Sequence, residues 1–185
     1  MRCFVSLDLP EPLHDPIREI QATLEPAAVL RATDPTQAHV TLQFLGEVAT
    51  DRSDTIISAL ERAVAHPNIE PFELRFGGLG VFPTLEYISV VWIGVERGVT
   101  AVEALHEAVV DELHPLGFEP DDHGFTPHVT IGRMDHGGGK SHVQSVVTEQ
   151  SPTVGSMSVT DVRLTESVLT ADGPRYRTVE SIPLE

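Results

Sequence analysis

The sequence predicts an α+β fold made of two similar lobes that meet at a central cleft. Three observations carry this expectation. The tetrapeptide His-apolar-Thr-apolar occurs twice, as His39-Val40-Thr41-Leu42 and, 89 positions on (128 − 39), as His128-Val129-Thr130-Ile131. Each copy lies in apolar, β-branched surroundings that read as a strand, and each half of the chain also carries a long helical pattern. No linker is long or polar enough to separate independent domains, so residues 1–185 are read as one domain of two closely packed lobes.

Side chains alternate along a strand, so residues two apart share a face. His39 and Thr41 therefore point one way, and Val40, Leu42 and Phe44 the other. His128 and Thr130 repeat the pattern against Val129 and Ile131. Each strand would seat its apolar side in a core and hold a His-Thr pair on its free side. Two such strands across a groove bring together two imidazoles and two hydroxyls, a set suited to acid–base chemistry on a phosphoester.

In chain order, Cys3, Val5, Leu7 and Leu9 alternate with Arg2, Phe4, Ser6 and Asp8 and predict a first strand, stopped by Pro10 and Pro12. Leu13, Ile17, Ile20 and Leu24 have helical spacing and predict a helix over about 12–25. Val29 to Ala32 is a short extended piece, and the first motif strand runs from His39 to Leu45. Ile56, Ile57, Leu60 and Val64 mark a second helix, closed at Pro67. Phe72 to Leu79 alternates, and Ile88 to Val95 is an apolar run consistent with a buried strand. Thr100 and Glu103 have capping-box spacing for a third helix that Gly117 would end. The second motif strand comes directly after Phe125-Thr126-Pro127. A weak helix is expected over 141–149. Ser156 to Leu169 and Tyr176 to Ile182 read as two strands joined around Asp172-Gly173.

Acidic residues number 28 against 12 basic ones, for a net charge of −16, and Lys140 is the only lysine. Such a balance ordinarily argues against a polyanionic ligand. It also fits a surface adapted to high salt: near 1 M salt the Debye length is roughly 3 Å, and distant carboxylates barely repel a phosphate. A halophilic protein is therefore expected. Cys3 is the only cysteine, which excludes a disulfide framework and a cysteine-based zinc site. The N-terminus lacks the pattern of a signal peptide, and no apolar run reaches membrane-spanning length, so a cytoplasmic protein without membrane contact is expected.

Other motifs carry less. His136-Gly137-Gly138-Gly139-Lys140-Ser141 resembles part of a phosphate-binding loop, but Met134 stands where its first glycine belongs. His123, His128, His136 and His142 match no standard metal spacing. His14, His66, His106 and His114 fall on or near helices and are expected at the surface. No nucleophile-elbow sequence supports Ser-His-Asp hydrolysis. Neither a metal nor another cofactor is expected.

The segments His39-Val40-Thr41-Leu42-Gln43-Phe44-Leu45-Gly46 and Thr126-Pro127-His128-Val129-Thr130-Ile131-Gly132-Arg133 resemble the paired motifs of the two-histidine phosphoesterases. Within that superfamily the chain is most similar to the RNA 2′,3′-cyclic phosphodiesterases, also called 2′-5′ RNA ligases or LigT-like proteins. The opening Arg2 to Pro10, the central Phe72 to Pro83 and the late Leu164 to Ser167 extend the resemblance over nearly the whole chain. It implies a bilobal, pseudo-twofold LigT-like fold with antiparallel sheets flanked by helices. It also implies opening of a 2′,3′-cyclic phosphate at an RNA end to leave a 2′-phosphate.

By the family pattern His39 is the proton donor and His128 the proton acceptor. Thr41 and Thr130 hydroxyls can donate to the non-bridging oxygens, where charge builds. Arg133 matches an arginine that the family holds near the phosphate. Strict alternation puts it on the Val129 face, so the strand must end or bulge for it to reach the cleft. Phe4 and Phe125 are candidates for stacking on a base or ribose. The expected partners are RNA ends bearing a 2′,3′-cyclic phosphate, tRNA halves among them, or small cyclic nucleotides, met by a monomer. The same residues allow 2′-5′ ligation, and a non-catalytic module that binds RNA ends is the alternative from another class.

Overall fold

The computed structural model describes residues 1–27, 30–65 and 69–185. The expectations at Val29, His66 and Pro67 lie outside these residues. The elements in order are β1 (Arg2–Asp8), α1 (His14–Leu24), β2 (Leu30–Ala32), β3 (His39–Glu47), α2 (Ser53–Ala65), β4 (Phe72–Pro83), β5 (Ile88–Arg97), α3 (Val99–Leu113), β6 (His128–Met134), α4 (Lys140–Glu149), β7 (Thr153–Val159), β8 (Asp161–Thr170) and β9 (Gly173–Pro183).

Among the described residues the strands form one antiparallel sheet in the order β7-β4-β5-β6-β3-β1-β8-β9, with β2 paired to β6. The order is symmetric about the β3–β6 junction. One half holds β3, β1, β8 and β9, backed by α2 and α3. The other holds β6, β5, β4 and β7, backed by α1 and α4. The chain weaves between them: β1 belongs to one half, and the helix after it packs under the other. The halves of the fold are therefore not the halves of the sequence.

The helices form where apolar residues recur every three or four positions, and they bury that stripe on the sheet. Ile17, Ile20 and Leu24 of α1, Ile56, Leu60 and Val64 of α2, and Val102, Leu105, Val109 and Leu113 of α3 are all buried. They meet Val40, Leu42, Val129 and Ile131 from the sheet in one continuous core. Burial of each such side chain contributes about 1.5–3 kcal/mol. Among the described residues no helix is long and apolar enough to cross a membrane.

Three local expectations are corrected. The run Ser156 to Leu169 is two strands, not one: β7 ends at Val159 and β8 starts at Asp161. No glycine or proline marks the break at Thr160, whose carbonyl accepts the Leu184 amide (2.9 Å). Strands six places apart in a flat sheet would lie about 29 Å apart at 4.8 Å each, yet one intervening residue spans at most about 7 Å. The sheet therefore curls until its two ends meet at Thr160. The capping box at Thr100 does not form. Gly98 at φ +93° occupies the cap position of α3, and a Cβ there would stand 2.3 Å from the Glu73 carbonyl. Finally, Phe44 does not join Val40 and Leu42 in the core and is 58% exposed.

Candidate active site

The two motif strands touch at one register pair, Val40 opposite Val129, and then splay. Beyond that point β2 takes over the edge of β6, pairing Ala32 with Gly132 and Arg31 with Arg133. In an antiparallel pair centred on Val40–Val129, His39 lies toward Thr130 and Thr41 toward His128. All four are half-buried and face away from the helices, while Val40, Leu42, Val129 and Ile131 are buried beneath them. The sequence expectation for these four residues agrees with this arrangement.

Each imidazole is held in the same way. His39 Nδ1 donates to the Gln37 carbonyl (2.9 Å), and His128 Nδ1 donates to the Thr126 carbonyl (2.6 Å). In both cases the acceptor lies two residues upstream. A carbonyl only accepts, so Nδ1 carries the hydrogen and Nε2 is left to receive or deliver a proton. Burial lowers both pKa values below the usual 6.5, because charging the ring would cost solvation. The backbone carbonyls oppose this shift in both rings, and for His39 the Asp8 carboxylate opposes it too. The positive charge of Arg133 adds to it at both, and His128 adds to it at His39.

Both strands then break their alternation at the same place. In the β1–β3 ladder Ser6 pairs with Thr41 and Val5 with Gln43, which leaves Leu42 as an extra residue. In the β5–β6 ladder Trp92 pairs with Thr130 and Val91 with Gly132, which leaves Ile131 extra. A bulge shifts the phase by one and re-aims the side chains beyond it. Arg133 thereby lies on the face of His128 and Thr130, and Phe44 on the face of His39 and Thr41. Among the described residues Arg133 has no carboxylate within ion-pair distance and is exposed.

The flanks differ. Phe4 and Tyr176 rings lie 4.9 and 5.1 Å from the His39 ring, and Phe82 and Trp92 rings 4.9 and 5.8 Å from His128. Trp92 lies across Gly80, where a Cβ would come within 2.2 Å of the indole. Asp8 stands opposite His39 in the ladder. Its carboxylate accepts from Ser6 Oγ (3.0 Å) and Arg163 Nη1 (2.9 Å), and Ser6 Oγ also lies 2.9 Å from the buried Thr165 hydroxyl.

The aromatic candidates need correction. Phe4 is 5% exposed and enclosed by His39, Phe44 and Tyr176, so its ring has no open face for a base. Phe125 stacks on His106 at 3.9 Å and 9°. The exposed aromatic on the motif face is Phe44, which alternation assigns to the core. His106 is half-buried rather than a surface residue, and its Nδ1 donates to the Leu42 carbonyl (2.9 Å). Tyr176, Trp92, Asp8 and Arg163 also escape sequence reasoning, because only the strand pairing brings them to the motifs.

Comparison with known proteins gives the family and the fold. A family profile described as the 2′-5′ RNA ligase superfamily matches residues 9–168. An RNA 2′,3′-cyclic phosphodiesterase of Methanothermobacter thermautotrophicus is 36% identical over 97% of each chain. One of Archaeoglobus fulgidus is 34% identical over 96% of this chain and 97% of its own. The crystal structure of Escherichia coli LigT complexed with 3′-AMP shares the fold at a TM-score of 0.78 and 24% identity, covering 99% of this chain and 97% of that one. With its paired motifs and full-length likeness, this chain belongs to the 2′-5′ RNA ligase superfamily.

Proposed function

We propose that the protein is an RNA 2′,3′-cyclic phosphodiesterase that opens a terminal cyclic phosphate to a 2′-phosphate by two-histidine acid–base catalysis. The carrying observation is the pair of imidazoles with Nδ1 bound to backbone and Nε2 free, on strands that meet at Val40 and Val129. Water attacks the phosphorus as His128 Nε2 takes its proton. The bond to the 3′ oxygen breaks, and that oxygen takes a proton from His39 Nε2. Thr41 and Thr130 donate to the non-bridging oxygens, and the Arg133 guanidinium neutralises the charge that builds there. Phe44, exposed beside Thr41, offers a face to the base. Because the proton transfers use side chains alone, turnover is expected to persist in EDTA.

A 5′-hydroxyl in place of water gives a 2′-5′ linkage at the same site, the reading that the superfamily's description favours. The substrates fitting the cleft are RNA ends, tRNA halves included, or small cyclic nucleotides, handled by a monomer during RNA processing in the cytoplasm. The net charge of −16 supports work at high salt, with stability expected to rise from dilute buffer to molar potassium chloride.

The test is a short RNA ending in a 2′,3′-cyclic phosphate, incubated in molar potassium chloride with EDTA. A 2′-phosphate product supports the mechanism as written. A 3′-phosphate keeps the histidines and reverses the leaving group. Tight binding without turnover replaces the enzyme with a module that binds RNA ends.

A further inference from the structure

Each motif strand solves the same problem at its bulge. The carbonyl of the extra residue takes a hydrogen bond from a side chain of the covering helix. Under β6 the Ile131 carbonyl accepts Gln21 Nε2 from α1 (3.0 Å) and the Thr33 amide (3.0 Å). Under β3 the Leu42 carbonyl accepts His106 Nδ1 from α3 (2.9 Å). Gln21 Nε2 also donates to the Thr33 carbonyl (2.8 Å), whereas the second contact of His106 is aromatic. Its ring lies flat on Phe125, 3.9 Å away at 9°, one residue before Thr126, whose carbonyl fixes His128. One imidazole thus touches the bulge that turns out Phe44 and the loop that orients the second motif histidine.

We infer that His106 is a positioning residue of the cleft, holding the Leu42 bulge from below and locking the Phe125–Thr126 approach to His128. It acts through Phe44 on substrate binding and through Thr126 on the imidazole of His128, and it touches no substrate itself. This rests on the two-histidine reading of the cleft.

The experiment compares His106→Leu, which keeps bulk and removes the donor, with His106→Gln, which supplies the amide that Gln21 supplies to the other bulge. Kinetics use the cyclic-phosphate RNA in molar potassium chloride, with folding checked by thermal unfolding. His106→Leu is expected to lower kcat/KM about tenfold, through both KM and kcat, and the glutamine, which restores the bond to Leu42 but not the ring on Phe125, to bring KM back to within about threefold while kcat stays low. In a Phe44→Ala background the KM effect of His106→Leu is expected to vanish, because the bulge then has no ring to present.

Equal loss in both variants, or wild-type kinetics for His106→Leu, overturns the inference. So does an undiminished KM effect without Phe44. If His106→Leu does not fold, His106→Ala, which also lacks the donor, takes its place under the same criteria. A wild type that turns over while His39→Ala is inert upholds the two-histidine reading whatever His106 does. If the wild type is inert, that reading fails, and the dissociation constant for adenosine 2′-monophosphate replaces kcat/KM in the same comparison.

Discussion

Thr41 has Ser6 as its neighbour across the ladder, whereas Thr130 has Trp92; His39 has Asp8, whereas His128 has Gly94. Five residues after each histidine stands Phe44 in one half and Arg133 in the other. The backbone is nearly the same in the two halves: a strand, an Nδ1 bond to the carbonyl two residues upstream, and a bulge one residue past the threonine. The side chains are not. The His39 half has a carboxylate, hydroxyls and an exposed phenyl ring. The His128 half has an indole, the Phe82 ring and a guanidinium that has no carboxylate at ion-pair distance among the described residues. A duplicated frame supplies symmetric placement, and the asymmetric decoration supplies distinct tasks, with a carboxylate beside one imidazole and, on the strand of the other, a cation that acts on both rings.

The frame breaks most completely at the histidines. His39→Ala and His128→Ala are each expected to lower kcat by a factor on the order of 100 or more, with thermal unfolding in molar salt little changed. Near-wild-type turnover in either variant would end the two-histidine mechanism. The next pair separates the halves. Arg133→Ala is expected to lower kcat/KM about 10- to 100-fold on every cyclic phosphate, because it removes a charge-assisted hydrogen bond from the phosphate itself. Phe44→Ala is expected to raise KM about tenfold on nucleotides by losing one stacked base, and to leave a base-free ribose cyclic phosphate unaffected. Steady-state kinetics on the two substrates read both, and a Phe44 effect that survives without a base would show that the ring acts on the strand instead.

Much of this arrangement is legible in the sequence, because its periods are. The apolar stripes at Ile17-Ile20-Leu24 and Val102-Leu105-Val109 give α1 and α3, and the repeated tetrapeptide gives the two strands and the shared face of His and Thr. A period broken without a marker escapes, and so does a contact made across the sheet. Leu42 and Ile131 look like any strand residue, yet each is the extra residue of a bulge. Strict alternation consequently buries Phe44, and Arg133 reaches the cleft only by an unseen irregularity. Thr160 splits two strands with no glycine or proline to announce it. Asp8 and Tyr176 join His39 through strand pairing and ring contact over separations of 31 and 137 positions (39 − 8 and 176 − 39), which no local pattern encodes.

Asp8 allows the finest test of the asymmetry. Both imidazoles have pKa values below 6.5, so the product of a neutral base and a protonated acid is largest below pH 6.5, and kcat/KM is expected to fall as pH rises above it. Asp8 favours the charged form of His39 and has no counterpart opposite His128. Asp8→Asn removes that help, so the His39 pKa falls further. If His39 is the acid, the alkaline limb of the profile moves to lower pH and the acid limb stays. If His39 is the base, the acid limb moves instead, and activity at low pH rises. Folding linkage has a matching sign. A histidine whose folded pKa lies below its unfolded value contributes stability that is fully present above 6.5 and is lost as pH falls through the folded pKa. Thermal unfolding in molar salt is therefore expected to lose slightly more between pH 7 and pH 5 in Asp8→Asn than in the wild type, since lowering the His39 pKa deepens the same loss. An unchanged profile with an unchanged pH slope would mean that Asp8 serves Arg163 and Ser6 alone, and that the asymmetry between the two imidazoles originates in the aromatic flanks.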